Sequence, residues 1–364
     1  MKDDDELHVI TTHPNRYESH RIKADDIETF GNIMVHRISV PAHKSGMFSQ
    51  ARTFSAYALA SYKLSNHINP DFLIGTTSRL MTGVLTGIAS RKLGCRYFID
   101  LRDIFSETIS DIFSQKSKIL GFILKATFSL LEGWLFYRAA GVNVVSDGFP
   151  EYFQTQGIDT SKWSFYPNGV DKEFVNVSSL ENDRPKNVKT ILYAGNIGSG
   201  QGLETVLPGA AKRLGKGYRF LVIGSGGAIS KLTNAIKKGN VDNIDLLPPV
   251  KREKLIKYYR EADILFLHLN DIPAFKRVLP SKIFEYTALK IPMVAGLSGY
   301  SAKFILENVT DAAVFDSGDV EGCVDAIKKV ENVKIKNKKI DSFVKKYSRE
   351  KIMNKMATHI LSLL

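Results

Sequence analysis

The chain has 364 residues, and a single packed core seldom grows beyond about 250–300, so two lobes are expected. With 44% hydrophobic and 24% charged residues it has the make-up of an ordinary globular protein, which excludes wholesale disorder and a fibrous repeat. Fifty Lys and Arg against 38 Asp and Glu give a net charge of +12, which favours an anionic partner: nucleic acid, anionic lipid or a phosphate-bearing substrate.

The start, Met1-Lys2-Asp3-Asp4-Asp5-Glu6, is acidic where a secretory leader would be basic and then apolar. The two cysteines, Cys95 and Cys323, have neither metal-ligand spacing nor a disulfide framework, so a reducing, cytoplasmic setting is expected. Short apolar runs at 7–11, 33–40, 72–75, 97–99 and 142–145 read as strands, with helical patterns at 51–67 and 80–93. The run at 97–99 leads into Asp100-Leu101-Arg102-Asp103, two carboxylates and a guanidinium at the carboxyl end of a strand. Hydroxyl recognition, general-base work and a structural ion network all fit that arrangement. Residues 119–140 are rich in Leu, Phe and Ile but carry Lys125, Glu132 and Arg138. These charges lie too deep for a comfortable spanning helix of about 20 residues. A buried core helix and a helix lying on a bilayer surface both remain open. Tyr166-Pro167-Asn168-Gly169-Val170-Asp171 is a turn signature, and the polar stretch 176–189 marks the boundary between lobes.

In the second half, strands are expected at 190–193, 219–223, 244–247, 264–267, 293–295 and 313–315, with helices at 204–214 and 252–260 among them. This alternation predicts parallel sheets covered by helices, in two Rossmann-like lobes. Ligands of such sheets bind beyond the carboxyl ends of the strands. After the strand ending Tyr193-Ala194 comes Gly195-Asn196-Ile197-Gly198-Ser199-Gly200-Gln201-Gly202, which opens a helix. Its glycines allow backbone N–H groups to approach a phosphate, and the helix start adds positive potential; tight packing alone also explains them. A second turn, Gly224-Ser225-Gly226-Gly227, has Ile229 where a dinucleotide fingerprint needs its third Gly, which argues against a nicotinamide enzyme. In Leu279-Pro280-Ser281-Lys282-Ile283-Phe284-Glu285-Tyr286, Ser281 is expected to cap a helix. Lys282 would add charge near that end, and Glu285 could accept hydrogen bonds from a sugar or ribose hydroxyl. A merely capped helix with an exposed Lys and Glu is the plain alternative. Much of the positive excess lies in Lys328, Lys329, Lys334, Lys336, Lys338, Lys339, Lys345 and Lys346, which a solvated face would also explain. Residues 343–364 read as one terminal helix with Ile352, Met356, Ile360 and Leu363 on its apolar face. The aromatics are not interleaved with a basic stripe, so no nucleic-acid partner is expected.

In this order, Asp100-Leu101-Arg102-Asp103, Pro167-Asn168-Gly169-Val170-Asp171, Tyr193-Ala194-Gly195-Asn196-Ile197-Gly198, Gly224-Ser225-Gly226 and Pro280-Ser281-Lys282-Ile283-Phe284-Glu285-Tyr286 resemble the retaining glycosyltransferases of family 4. The resemblance runs from about residue 70 to the C-terminus and looks closest to bacterial O-antigen and capsule enzymes, including N-acetylfucosamine transferases. It implies the α/β GT-B architecture: two Rossmann-like lobes with a nucleotide-sugar in the cleft between them. Residues 1–175 would form the acceptor lobe, 176–342 the donor lobe, and 343–364 a terminal helix crossing back to the first lobe. Gly195, Asn196, Gly198, Gln201 and Gly202, with Ser281 and Lys282, would hold the donor diphosphate. Glu285 would bind the ribose, Val250 with Pro249 would border the uracil, and Asp103, Arg102 and Asp100 would face the transferred sugar and the acceptor.

The pattern departs from the family in three places. Arg277 stands where the first Glu of the family's E-x7-E motif belongs, and Asn196 and Gln201 stand where many relatives carry Arg and Lys. The chain also opens almost directly on what matches the family's second strand, so an acceptor lobe lacking its first strand and helix is expected. The function implied is retaining transfer from a UDP-sugar to an undecaprenyl-diphosphate-linked saccharide, in O-antigen, capsule or exopolysaccharide synthesis. The expected setting is the anionic lipid surface on the cytoplasmic face of a bacterial inner membrane. No cofactor and no metal are expected. The alternative is a truncated, non-catalytic remnant that binds nucleotide or a partner enzyme.

Overall fold

A computed structural model describes residues 5–14, 24–41, 47–77, 80–106, 117–175, 188–333 and 335–364. Packing divides the chain into two compact units, one of residues 1–105, 128–143 and 357–364, the other of residues 106–127 and 144–356. The interlobe stretch expected at 176–189 lies mostly outside the described residues. The compact units follow packing rather than chain composition, and they assign 144–175 to the second unit and 357–364 to the first.

The first three strands, β1 (Leu7–Thr12), β2 (Ile27–Phe30) and β3 (Ile33–Ile38), form a sheet in the order β1-β3-β2. β1 runs parallel to β3, but β2 is antiparallel to it, where only parallel strands were expected. Gly31 and Asn32 are the cause: a two-residue link between strands closes only as an antiparallel hairpin. A second sheet has the order β4 (Phe72–Thr76), β5 (Arg96–Leu101), β6 (Gly141–Val144) and β7 (Trp163–Phe165). β4 and β5 are parallel, joined through the helix Leu80–Leu93. Phe98, Ile99 and Leu101 on β5 are fully buried, with Leu135 of the helix Lys118–Arg138 also in the core.

A third sheet, in the second unit, has six strands that all run parallel: β8 (Lys189–Asn196), β9 (Tyr218–Ser225), β10 (Ile244–Leu247), β11 (Ile264–His268), β12 (Met293–Gly296) and β13 (Ala312–Phe315). Because side chains alternate across a strand, each one feeds two cores. Leu192, Ala194, Leu265, Leu267 and Met293 pack with Tyr259, Ile283 and Phe284 on one face. Ile191, Tyr193, Ile264, Phe266 and Val294 pack with Leu203, Val206 and Leu232 on the other. Removing a ring as buried as that of Phe266 costs about 3–5 kcal/mol. The order β10-β9-β8-β11-β12-β13 has its switch between β8 and β11, where consecutive connections leave in opposite directions.

The expected single terminal helix is two, Asn337–Lys346 and Arg349–Leu361. The break is made by pairing: Val170 N–H donates to Tyr347 O at 2.7 Å, and Arg349 N–H donates to Val170 O at 2.9 Å. Arg349 also donates to Asn168 O and pairs with Asp171, which Arg252 joins. The Pro167–Asp171 motif therefore anchors this hinge. Among the described residues, no helix is long and apolar enough to cross a membrane.

Candidate functional site

The turn 195–202 leaves β8 at the switch point, and the helix Ser281–Ala288 begins in the connection that leaves β11 on its other side. These two segments meet through Gly195 and Lys282, 87 residues apart in sequence. A Cβ on Gly195 would lie 2.7 Å from Lys282 Cε and 2.9 Å from its Nζ, so only glycine lets the ammonium rest on the strand end. Lys282 is half-buried and 5.8 Å above the Tyr286 ring. Neither Lys282 nor Glu285 has an ion-pair or hydrogen-bond partner among the described residues. Burial pushes the Lys282 pKa below the ordinary lysine value, and Glu285 one turn on acts against that shift.

The helix start differs from expectation in one respect. Pro280, with extended backbone (φ −60°, ψ 135°), is the N-cap, so Ser281 is the first helical residue and caps nothing. The N-cap makes no side-chain capping bond, so among the described residues the positive end of the helix stands beside Lys282 with no capping side chain.

Within the turn, Gln201 Oε1 accepts from Asn196 Nδ2 at 3.0 Å and from Gly198 N–H at 3.1 Å. Asn196 and Gln201 thus brace the turn itself. Gly202 (φ +56°) must be glycine, because Asn270 Oδ1 occupies the space a Cβ would need. Val250 follows β10 at the same end of the sheet, half-buried against the core. Arg277 lies over the Tyr152 ring at 5.2 Å and donates from Nη1 to Pro273 O at 3.1 Å, and its carbonyl accepts from Ser146 Oγ.

Sequence reasoning passed over two residues here, His268 and Asn270. The available signal was the end of the apolar run 264–267 in two polar side chains, at the carboxyl end of a switch-point strand.

In the first unit, the Asp100–Asp103 segment separates into two roles. Asp100 is buried, with one carboxylate oxygen accepting from Arg102 Nε at 2.7 Å and the other from Asn143 Nδ2 at 2.7 Å. Of the three readings open for this residue, that geometry is the structural network. Asp103 keeps an exposed surface, yet the loss of water around its carboxyl pushes the pKa up to about 6, with Arg102 acting the other way.

The helix Lys118–Arg138 is not a buried core helix. Leu135, Phe136 and Glu132 are buried, but Ile119, Phe122, Ile123, Leu130 and Tyr137 stand exposed. Their spacing places them on one stripe, and the exposed cations Lys118 and Arg138 lie at its two ends. Composition alone could not tell which side of this helix met water.

Residues 178–347 match the family model of glycosyl transferases group 1. The chain is 24% identical over 252 residues to WcaI of Escherichia coli (strain K12), described as a glycosyl transferase of colanic acid biosynthesis. That match covers 67% of this chain and spans 60% of the relative's length. Among solved structures, sucrose-phosphate synthase from Thermosynechococcus elongatus superposes with a TM-score of 0.72 at 14% identity, over 98% of this chain and 88% of that one. Anabaena HepE, solved in complex with UDP, gives 0.65 at 13% identity, over 90% and 86%. The fold is accordingly the GT-B type, with two Rossmann-like lobes.

Proposed function

We propose that this protein is a retaining glycosyltransferase that moves a sugar from a UDP-sugar to a lipid-linked saccharide during assembly of a bacterial surface polysaccharide. The observation that carries the reading is Lys282. A half-buried ammonium that forms no ion pair among the described residues rests on a glycine turn at the switch point of a parallel sheet, beside a helix start whose N-cap side chain makes no capping bond. Such a site suits an anion, and the diphosphate of a nucleotide-sugar is one. The WcaI likeness supports the polysaccharide setting, and the UDP complex of HepE supports the nucleotide. An N-acetylfucosamine-type donor is the finer assignment and rests on the motif resemblance.

In the proposed reaction the acceptor hydroxyl oxygen bonds to the anomeric carbon as the bond from that carbon to the diphosphate oxygen breaks, on the same face of the sugar. Negative charge grows on the departing UDP. Lys282, the N–H groups of the turn and the start of helix Ser281–Ala288 stabilise it. Glu285 accepts from the ribose hydroxyls, and Val250 borders the uracil. Asp103, with Arg102 beside it, orients the acceptor hydroxyl, and a donor phosphate oxygen takes the proton. Asp100 supports this segment from behind.

A thermal-shift titration with UDP, GDP, CMP and NAD tests the donor. UDP at 100 times its dissociation constant should add about 2.7 kcal/mol of stability. Stabilisation by UDP and not by the others is expected; a folded protein that responds to none of them contradicts the reading.

The lipid part of the proposal assigns the exposed stripe of Lys118–Arg138 to an anionic bilayer surface, its apolar side chains entering the headgroup boundary and Lys118 and Arg138 meeting lipid phosphates. The protein should sediment with phosphatidylglycerol-containing liposomes at low salt, and Phe122→Glu should release it. Equal sedimentation of both forms would remove this surface from the account.

A further inference from the structure

The carbonyls of the donor turn are tied from behind by two residues at the end of β11. Asn270 Nδ2 donates to Ser199 O, Asn270 N–H donates to Gly200 O at 2.9 Å, and His268 Nδ1 lies 2.6 Å from Gln201 O. A carbonyl only accepts, so Nδ1 carries the imidazole proton. Gly318 N–H donates to Nε2 at 2.9 Å, which leaves that nitrogen bare and the ring neutral. His268 is fully buried, with its ring near those of Phe266 and Phe315 at 6.3 and 5.9 Å. Gly296 on the neighbouring strand makes room for it, since a Cβ there would lie 2.3 Å from His268 Cδ2. Burial holds the imidazole pKa below its ordinary value, and the bond to Gln201 and the charge of Glu204 act in the opposite sense.

Peptide planarity converts this anchoring into a binding surface. A carbonyl and the N–H of the next residue point in opposite directions. With the Ser199 and Gln201 carbonyls turned back onto Asn270 and His268, the N–H groups of Gly200 and Gly202 turn forward, and neither donates to any described residue. The intervening Gln201 N–H is used within the turn, donating to Gly198 O at 3.1 Å.

We propose that His268, together with Asn270, is a positioning residue for the donor diphosphate, holding the turn so that the Gly200 and Gly202 N–H groups present to phosphate oxygens. This inference rests on the UDP-sugar reading of the turn. His268 would not touch the ligand; it would act only through the Gln201 carbonyl.

The test is a calorimetric comparison of UDP and uridine binding to the full chain and to His268→Leu, His268→Asn and Asn270→Ala. In the wild-type protein UDP should bind more tightly than uridine. His268→Leu removes the donor to Gln201 O and should weaken UDP by roughly tenfold while leaving uridine unchanged, about what one lost hydrogen bond in an anion site is worth. His268→Asn, whose amide can donate from near the Nδ1 position, should restore most of the UDP affinity. Asn270→Ala should reproduce the same split between ligands if His268→Leu does not fold. Two results would overturn the proposal: UDP affinity unchanged in His268→Leu and Asn270→Ala, or UDP and uridine weakened alike. A wild-type protein that binds neither ligand would instead strike the donor reading itself, and the positioning role would fall with it.

Discussion

The turns 195–202 and 224–227 both follow a buried parallel strand, both gather glycines, and lie side by side at the same end of one sheet. What approaches their glycines is different. A Cβ on Gly224 would lie 1.8 Å from Gly195 O, and one on Gly226 would lie 2.3 Å from Ile197 O, so the second turn is small because the first turn's backbone presses on it. Ala228 N–H closes the contact by donating to Ile197 O at 2.9 Å. In the first turn, the neighbour of Gly195 is the free end of Lys282, and the remaining carbonyls are held from behind. One turn packs against protein; in the other, the Gly200 and Gly202 N–H groups donate to no described residue. Glycine count does not separate the two cases, whereas the identity of the atom that fills the missing Cβ position does.

The largest effect that follows is on Gly224. Its backbone (φ +157°) and the carbonyl behind it leave no room for a methyl group, so Gly224→Ala should lower stability by about 2–4 kcal/mol in urea denaturation. Gly195→Ala should behave differently. Its backbone (φ +156°) carries the same strain, but the obstacle there is a flexible lysine end rather than a carbonyl, so the stability loss should be smaller, while displacement of Lys282 should cost UDP affinity in calorimetry. If both substitutions act equally on stability and equally on binding, the comparison collapses.

A weaker and pH-dependent effect comes from His268. Its folded pKa lies below the unfolded value of 6.5, so the stability it contributes is present above about pH 6.5 and lost as pH falls through the folded pKa. Asp103 works in the opposite direction. Its carboxyl is raised from 3.8 to about 6, so the folded state gains relative stability as pH falls from about 6 to 4. Measuring wild type against His268→Asn separates them: the wild-type advantage should shrink steadily on acidification below about pH 6.5. The smallest effect should be at Gly227, where a Cβ meets nothing within 4 Å; Gly227→Ala should stay within about 0.5 kcal/mol of wild type in the same denaturation assay.

Much of this fold was legible in the sequence, for a physical reason. β8, β9, β11 and β12 are buried on both faces, so they stand out as uninterrupted apolar runs. The strands that escaped notice, β2 and β7, have four and three residues and are at most half-buried, which leaves no periodic signal. The turn 195–202 and the helix start were each visible because both follow strand ends at one side of a parallel sheet. Their contact through Gly195 and Lys282 is a product of topology and could not be read from spacing. Ser281 misled because a Ser after Pro looks like a cap, whereas the extended Pro280 had already taken that position. Asp100 and Asp103 are alike in sequence and part only in three dimensions, where Asn143 and Arg102 claim the first and solvent reaches the second.

The account stands most directly on the Lys282 ammonium, and the measurement that tests it is the UDP dissociation constant of Lys282→Met against wild type, with urea denaturation of both. A half-buried cation with no ion pair or hydrogen bond among the described residues contributes little to the fold, so stability should change by less than about 1 kcal/mol while UDP binding weakens by at least about tenfold. Unchanged UDP affinity in a folded Lys282→Met protein would contradict the assignment of this site to a diphosphate.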